Sequence, residues 1–407
     1  MTAVSPPLMT TTRTAAIGGL LIALGSTSMA LYTPAMPTLV AAFATTMAMV
    51  KTTLTAYFAG FALTQLVCGP LSDAYGRRPI AFAFLGIYVA GSLAAMLASS
   101  IEILVAARFL QGVGAAVGIA VSRAIVRDLF TGAESAKVMN AIGIALAIGP
   151  AIAPTLGGLI LEFADWHALF VVMAVVGVAA LTVVQFALPE TNAHRDPAHA
   201  HPRRVVTTYG RLLRDRRFVV PAVTMGTSVG TIYTLGTMLP FVLIGRVGMN
   251  PMNFGLGMLA QTGSYFVGGL VARQLLRHHP ADRLVMPGLI LAFAGAAATL
   301  LLDGWIAPSY AAVMIPVGVF AFAVALILPA LTTSAMAPFA EVAGSASALM
   351  GFIQMGGGFL GGLAGALFAD PVTAFATVFP AMLALALATQ VVGRMGSGSR
   401  VGSPPCA

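Results

Sequence analysis

Charged side chains that could take part in chemistry are rare in this chain, at 8% of 407 residues. Asp73, Arg77 and Arg78 are gathered in the stretch GPLSDAYGRRPI at 69–80, between two uncharged apolar runs. Arg108 lies among apolar residues in AARFLQGVGAA at 106–116. An arginine carries its charge at every physiological pH, and acids beside arginines form ion pairs. These residues therefore predict charge pairing in an apolar setting.

Motifs for making or breaking covalent bonds are missing from the sequence. No nucleophile motif surrounds the serines, histidines or aspartates, and no Walker A pattern for ATP binding occurs. Cys68 and Cys406 are not placed as a disulfide or a metal cluster. The segment of His194, His199 and His201 could hold a metal ion, but we interpret it as a solvated linker. We therefore expect no catalytic residues, no metal and no cofactor, and a membrane-embedded enzyme is kept only as an alternative.

The composition places the elements that hold these residues in a membrane. The chain is 58% hydrophobic, whereas about a quarter of a soluble chain is charged. A helix that crosses a bilayer needs about 20 apolar residues, and a spanning backbone must pair its polar groups internally. The apolar runs are too long for barrel strands and do not alternate, so we predict an all-α membrane protein. We expect twelve transmembrane helices, near 15–37, 52–72, 80–100, 102–123, 138–160, 167–188, 218–244, 253–275, 284–302, 309–331, 342–369 and 373–393.

The distribution of Lys and Arg predicts the orientation of these helices. With the N-terminus inside, the inner loops hold nearly all of these residues, and the outer loops hold Lys51 and Arg246. Both termini are then cytoplasmic, and the basic charge faces lipid and cytoplasm, without a nucleic-acid partner. The widest polar stretch predicts an N-terminal six-helix bundle (1–188), a cytoplasmic linker (189–217) and a C-terminal six-helix bundle with a short cytoplasmic tail (218–407).

The two predicted halves look like copies of each other. Pro37 corresponds to Pro240, and Arg77 corresponds to Arg277, with an offset of about 200 residues. Two pseudo-symmetric six-helix halves with a site between them are typical of secondary transporters.

Five residues of the inner loop stand at the spacing of a known signature, namely Gly69, Asp73, Gly76, Arg77 and Arg78. They resemble the loop between the second and third helices of the major facilitator superfamily. Gly69 suits close helix contact, Gly76 suits a tight turn, and Asp73 at membrane depth needs a cation or a helix N-terminus. A plain positively charged inner loop would account for the arginines but not for Asp73.

The resemblance implies that this loop is an inner-face latch. We expect Asp73 to meet Arg123 or Arg127 from the end of the fourth helix, together with the N-terminus of the eleventh helix. We also expect Arg77 to meet Asp128. These contacts are expected to hold the two halves closed on the cytoplasmic side in the outward-facing state.

The fourth segment resembles the R-F-x-Q-G-x-G-A-A stretch of the same family, with Arg108 at its start. An arginine in mid-helix costs about 2.5–3.5 kcal/mol on insertion scales. We therefore expect Arg108 to face a wet cavity or a polar partner, with Gln111 one turn away on much the same face. The alternative is that its side chain extends to the outer membrane surface.

The fifth segment resembles the G-P-x-x-G-P-x-x-G-G signature of the family's drug/proton antiporters. Its matching residues are Gly149, Pro150, Pro154, Gly157 and Gly158, while Ala153 replaces one glycine. The prolines free carbonyl groups and favour a bend in the helix. An ordinary kinked packing helix is the alternative interpretation.

The stretch LYTPAMP at 31–37 resembles the end of the first helix in the Bcr/CflA-type, 12-helix drug-efflux branch. In that branch an aspartate usually lies two residues before the tyrosine, but this chain has Ala30 there. The usual proton-carrying acid of the first helix is thus missing. Glu102, near the outer end of the fourth segment, is our first candidate for proton coupling, although it points away from Arg108 on the same helix. Asp73, Asp128 and the substrate itself are the alternatives.

The resemblance covers the whole chain and implies a secondary transporter of a bacterial inner membrane. It implies export of small, mostly apolar, drug-like compounds by alternating access, coupled to proton influx. We expect a monomer in the lipid bilayer, with substrates in a cavity between the halves. The expected lining residues are Tyr32, Tyr57, Gln65, Arg108, Gln111, Tyr233, Gln261, Tyr265 and Gln354. The missing acid favours one alternative, a facilitator of a small metabolite, and a non-transporting sensor is another.

Overall fold

The computed structural model describes residues 8–193, 195–197, 201–302 and 304–398, and all regular elements in these ranges are helices. The first six are α1 (Thr11–Ala42), α2 (Met47–Tyr75), α3 (Arg77–Met96), α4 (Ile101–Leu129), α5 (Gly132–Phe163) and α6 (His167–Ala187). A short amphipathic helix, α7 (Pro202–Arg214), follows. The remaining helices are α8 (Arg216–Arg246), α9 (Pro251–Leu275), α10 (Ala281–Leu302), α11 (Tyr310–Phe339), α12 (Ala343–Ala366) and α13 (Pro371–Met395).

Eleven helices in this described part are long and apolar enough to cross a membrane. They coincide with eleven of the twelve predicted segments. The one remaining predicted segment, 253–275, forms α9, which has 25 residues but is less apolar than the other membrane helices. Its polar residues include Asn253, Gln261, Thr262 and Arg273. The predicted class, an all-α membrane protein, is confirmed.

One membrane helix of the first unit, α1, is interrupted within its span. A 3₁₀ turn at Thr33–Ala35 separates the helical stretch that ends at Tyr32 from the one that begins at Met36. Short 3₁₀ segments inside longer helices often mark hinges, and Pro34 withholds a backbone donor at this break. By contrast, α4 continues through Ala116, whose N–H donates to the Gly112 carbonyl at 3.3 Å.

Glycines bring α4 into close contact with α2 and α3. A Cβ atom on Gly112 would meet the backbone carbonyl of Tyr57 in α2 and would lie 3.0 Å from the Tyr57 Cα. A Cβ atom on Gly91 of α3 would lie 2.7 Å from the backbone nitrogen of Gln111. Small residues at helix contacts allow backbones in membranes to approach in this way. These contacts fix the face of α4 that holds Arg108 and Gln111.

The chain divides into two compact units, one formed by Met1–Thr207 with Gly248–Leu259 and the other by Thr208–Val247 with Ala260–Ala407. In the second unit, close contacts join α8 to α12, where a Cβ atom on Gly230 would lie 2.8 Å from the Gly357 Cα. The predicted boundaries of the two bundles and the linker, at 188/189 and 217/218, stay a prediction.

An acidic cap begins the last membrane helix of the second unit. The Asp370 carboxylate accepts hydrogen bonds from the backbone N–H groups of Val372 (2.9 Å) and Thr373 (2.8 Å), and it pairs with Arg246. Partial burial raises the pKa of Asp370, but the Thr373 N–H and the Arg246 guanidinium outweigh this effect and hold the pKa below its ordinary value. The stabilisation is therefore present at neutral pH and is lost as the pH falls through that lowered pKa.

Candidate functional site

Arg108 lies in the interior of the first unit, with 0% of its surface exposed. Its guanidinium carbon lies 4.6 Å from the ring centre of Tyr32 in α1 and 4.5 Å from that of Tyr57 in α2. The Phe170 ring of α6 lies 6.0 Å away. A cation within about 6 Å of an aromatic face is attracted by the ring's electrons. Three helices thus supply an aromatic cage for the charge of Arg108.

Gln111 holds one side of this guanidinium in place. The Arg108 Nη1 donates a hydrogen bond to the Gln111 Oε1. The Gln111 Nε2 donates in turn to the Ser92 Oγ of α3 (2.7 Å) and contacts the Met173 Sδ of α6 (3.3 Å). Gln111 itself is fully buried. Its predicted place beside Arg108 is confirmed.

The two tyrosine rings are fixed by hydrogen bonds at their outer ends. The Tyr32 hydroxyl lies 2.6 Å from the Thr53 Oγ1, and the Tyr57 hydroxyl donates to the Gly25 carbonyl at 2.7 Å. Both rings are buried, at 0% and 1% exposure. The cage is therefore held by contacts between α1 and α2 as well as by the arginine.

Two nitrogens of Arg108, Nε and Nη2, have no hydrogen-bond acceptor within the described residues. Burying a polar group without a partner costs roughly 1–3 kcal/mol, and an uncompensated charge costs more. Every acidic residue of α1–α6 lies in the first or last three residues of its helix. No acid of these helices is therefore in the central part of a span with Arg108.

The placement of Arg108 decides between two interpretations of the sequence. Its complete burial excludes a side chain that extends to the outer membrane surface. From the sequence we expected Arg108 to face a wet cavity or a polar partner, and it has a polar partner, Gln111. Glu102 lies exposed in the first turn of α4 and forms no ion pair with Arg108 among the described contacts. Its role in proton coupling stays a prediction.

The other predicted cavity residues are divided between the two units. Gln65 of α2 is buried, at 4% exposure, and its Oε1 has no hydrogen-bond partner among the described residues. In the second unit Gln261 is buried at 9% exposure, and three residues are partly buried, namely Tyr233, Tyr265 and Gln354. The structure brings four of the predicted residues into one cluster, Tyr32, Tyr57, Arg108 and Gln111. A role of the full set in binding substrate stays a prediction.

The inner loop forms a second polar cluster in the same unit. Arg77, the first residue of α3, is 3% exposed. Its Nε donates to the Asp128 Oδ2 at 2.9 Å, and its Nη1 donates to the Asp73 Oδ1 and to the Ser72 Oγ, the latter at 2.8 Å. The contact expected between Arg77 and Asp128 is confirmed. The structure adds a direct pair between Arg77 and Asp73, which the sequence analysis did not predict.

Asp73 also meets the cation expected from the end of α4. The Arg127 Nη2 lies 3.4 Å from the Asp73 Oδ1, with 57% and 36% of the two side chains exposed. Arg123 is exposed, and the Arg78 Nη2 donates to the Gln185 carbonyl at 2.5 Å. The close helix contact expected at Gly69 is not found: a Cβ atom there would have no described heavy atom within 4 Å.

Glu190, which sequence reasoning missed, caps the N-terminus of α3. Its carboxylate accepts from the backbone N–H groups of Arg77 (2.9 Å) and Arg78 (3.2 Å). A negative charge at a helix N-terminus satisfies free N–H groups and the helix dipole. Gly76 makes room for it, because its φ is +108° and a Cβ atom there would collide with the Glu190 carboxylate. The signal was present in the sequence as the acid of PETN, directly after the sixth apolar segment.

The residues that follow Glu190 fasten the same segment to two helix ends. The Thr191 Oγ1 donates to the Asp128 Oδ2 at 3.1 Å, and the Asn192 Nδ2 donates to the Asp73 carbonyl at 2.8 Å. The inner cluster therefore joins the ends of α2, α3 and α4 to the segment after α6. Its predicted action as a latch between the halves stays a prediction.

The antiporter-like signature lies on α5, which stays helical through Pro150 and Pro154. Gly157 faces α1, where a Cβ atom would meet the Leu31 carbonyl. Gly149 faces the Thr27 side chain of α1, and Gly158 faces Pro251 in the same unit. The glycines thus serve close packing beside the break in α1, while the functional bend stays a prediction.

Comparison with known protein families gives one match over most of the chain. A profile described as Major Facilitator Superfamily matches residues 17–362. The relatives include an uncharacterized MFS-type transporter of Bacillus subtilis, YdgK, which is 32% identical over 93% of this chain and 92% of its own. Multidrug resistance protein D of Escherichia coli is 25% identical over 86% of this chain and 87% of its own.

A solved structure has the same fold at low sequence identity. It is a bacterial homologue of the human lysosomal transporter Spinster, in an inward-facing and occupied conformation. The TM-score is 0.69 at 15% identity, over 96% of this chain and 98% of the other. This likeness supports the fold alone.

Proposed function

The chain belongs to the Major Facilitator Superfamily and is a multi-pass membrane transporter, and from this premise we propose that it exports small, mostly apolar compounds. Export proceeds by alternating access, in which one binding site opens to one side of the membrane and then to the other, and it is coupled to proton influx. The sequence relatives, which include a protein named for multidrug resistance, support the substrate class.

One observation carries this proposal: the aromatic cage around Arg108. The rings of Tyr32, Tyr57 and Phe170 present apolar faces, and the arginine supplies one charge with free donors. A mostly apolar site with a few polar groups suits the binding of small organic molecules. The break in α1 supplies a place where this helix can bend to open the cage.

The setting of the transporter is part of the proposal. We place it in the inner membrane of a bacterium as a monomer, with both termini in the cytoplasm. The basic inner loops support this orientation. In this orientation the cluster of Arg77, Asp73 and Asp128 lies on the cytoplasmic side.

Export is tested by a growth-inhibition panel in a drug-sensitive bacterium that overproduces the full chain. The panel contains apolar antibiotics and dyes. We expect the wild type to raise the inhibitory concentration of several of these compounds. Arg108→Ala should return them to the level of the empty vector, because the charge of the cage is lost. Arg108→Lys should keep part of the effect, since it keeps the charge but loses the planar donors. If the wild type protects against no compound, or if Arg108→Ala protects fully, the proposal is wrong.

Proton coupling is tested separately, by measuring substrate-induced proton release from the purified protein in weakly buffered detergent solution. We expect release in the wild type, and its loss in Glu102→Gln would assign the proton to that carboxylate. Unchanged release in Glu102→Gln would assign the proton to another group. Absence of release in the wild type, together with transport that continues without a proton gradient, would identify a facilitator instead.

A further inference from the structure

We infer that the compound bound at Arg108 carries a single carboxylate, which pairs side-on with the two free nitrogens of the guanidinium. The inference rests on the proposed function and names its substrate class: small organic monoacids with an apolar or aromatic body. The carboxylate supplies the negative charge that no acid of α1–α6 places at this position.

The first argument is the position of the free donors. In the planar guanidinium group, the Nε–H and one Nη2–H point in the same direction from one edge, and Nη1 lies at the other edge. Gln111 occupies the Nη1 edge, and the two nitrogens without an acceptor are Nε and Nη2. This pair is the fork that matches the two oxygens of a carboxylate in a bidentate contact.

The second argument is the direction of approach. The rings of Tyr32 and Tyr57 lie 4.6 and 4.5 Å from the guanidinium carbon. The rings lie against the guanidinium and Gln111 lies at its Nη1 edge, so the donors without an acceptor lie in the plane of the group. Because Arg108 is fully buried, the cage has to open for a ligand to reach them. A carboxylate that forms two parallel hydrogen bonds approaches in that plane.

The third argument is charge. Arginine stays protonated, and the tyrosines around it are neutral near pH 7, because their ordinary pKa is about 10. All acids of α1–α6 lie at the helix ends. One monovalent anion neutralises the site, whereas a dianion would leave a buried negative charge. A buried charge is stable only when it is paired and hydrogen-bonded.

The neighbours of the cage favour an apolar body for the ligand. The Phe170 ring lies 6.0 Å from the guanidinium carbon, and the Met173 sulfur contacts Gln111. Methionine and aromatic side chains adapt to ligands of different shapes. These contacts fit an apolar chain or ring attached to the acid.

The test compares 4-phenylbutyrate with 4-phenylbutyramide, which has the same body but no charge. The purified full chain contains two tryptophans, Trp166 and Trp305. Trp305→Phe leaves Trp166, whose ring lies 6.0 Å from that of Phe170, as a fluorescence reporter. All binding measurements use this background, in a buffer whose anion is gluconate.

We expect saturable quenching by 4-phenylbutyrate and at least about tenfold weaker binding of the amide, since a hydrogen bond to a charged group contributes roughly 1.5–3 kcal/mol. Arg108→Gln should weaken binding of the acid by a similar factor and leave that of the amide unchanged. Arg108→Lys should bind the acid weakly, because it keeps the charge without the fork. Arg211→Gln, which removes one exposed charge from α7, is the matched control and should bind the acid like the wild type.

Three results would overturn the inference: equal binding of acid and amide by the wild type, full binding of the acid by Arg108→Gln, or displacement of the acid by millimolar chloride in an Arg108-dependent way. The last would show that the fork takes an inorganic anion. A thermal unfolding profile like that of the wild type shows that Arg108→Gln is folded.

If the growth panel shows export but the acid and amide bind equally, the inference alone fails. If the acid binds through Arg108 and no compound is exported, the proposed function fails and the binding site stands.

Discussion

Replacing Asp128 by alanine is expected to destabilise the first unit by about 3 kcal/mol, at the lower end of the range for breaking one partner out of a buried ion pair. Arg77 is 3% exposed and loses its contact at 2.9 Å. It keeps Asp73 and Ser72 as partners, which is why the upper end of the range is not reached. Thr191 also loses its acceptor.

The measurement uses the buried thiol of Cys68, which is 0% exposed. In a Cys406→Ser background, a maleimide that fluoresces on reaction reports the exposure of Cys68 as the protein is heated in detergent. A loss of 3 kcal/mol in a unit of about 200 residues lowers the midpoint by roughly 6–12 °C.

Asp73→Asn is the matched control for this variant. The Asp73 side chain is 36% exposed, against 15% for Asp128, and exposed ion pairs contribute about 1 kcal/mol or less. We expect the midpoint to fall by a few degrees at most, while export declines if the loop is a latch. An equal fall of the unfolding midpoint in Asp128→Ala and Asp73→Asn would mean that burial does not decide how much each acid contributes to stability.

Gly112→Ala is expected to destabilise the first unit about as much as Asp128→Ala does. The expected loss is at the upper end of the roughly 1–3 kcal/mol that overpacking costs. The added methyl group meets the backbone of Tyr57, and a backbone cannot turn away as a flexible side chain can. The two helices must separate, and Tyr57 moves with them. Because the Tyr57 ring covers Arg108 at 4.5 Å, we expect reduced export as well as a lower midpoint in the thiol assay.

Gly86→Ala is the control for the same change of residue type. Gly86 lies on α3, and a Cβ atom there would have no described heavy atom within 4 Å. Alanine favours a helix over glycine by about 0.5–1 kcal/mol, so the midpoint should stay or rise. A midpoint for Gly112→Ala at or above that of the wild type would show that α2 and α4 are not held by this contact.

The membrane class and the positions of the helices were determined by the sequence. Runs of about 20 apolar residues have one stable solution in lipid, because each backbone polar group must be paired within its own segment. Pro34 and Pro37, beside the break in α1, were visible in the sequence, but the first segment was predicted to end at 37, whereas α1 continues to Ala42. The segment at 253–275 was also found from its run of apolar residues, although its polar residues weaken that signal.

The pairing of Arg77 with Asp128 was expected from the sequence, and Asp73 was expected to meet Arg123 or Arg127, of which the structure selects Arg127. Acids are the rarer charges of this chain, at 13 residues, which limits the possible partners. Glu190 was not assigned, although its acid was visible. It lies 113 positions from Arg77 along the chain, and only the return of the segment after α6 to the start of α3 brings the two together. A helix N-terminus attracts any acid near it in space, and separation along the sequence does not show which acid will lie there.

The aromatic surroundings of Arg108 were decided by the tertiary structure, whereas Gln111 was expected beside it from helical spacing. The sequence showed one charge in an apolar helix, which favours a wet cavity or a polar partner, with the outer membrane surface as the alternative. Packing of α1, α2 and α6 around α4 placed two tyrosine rings and Phe170 over the guanidinium. The same packing gave one edge of that group to Gln111 and left the other without an acceptor. Which donors of a buried arginine are free depends on contacts among four helices, and helical spacing within one segment cannot encode them.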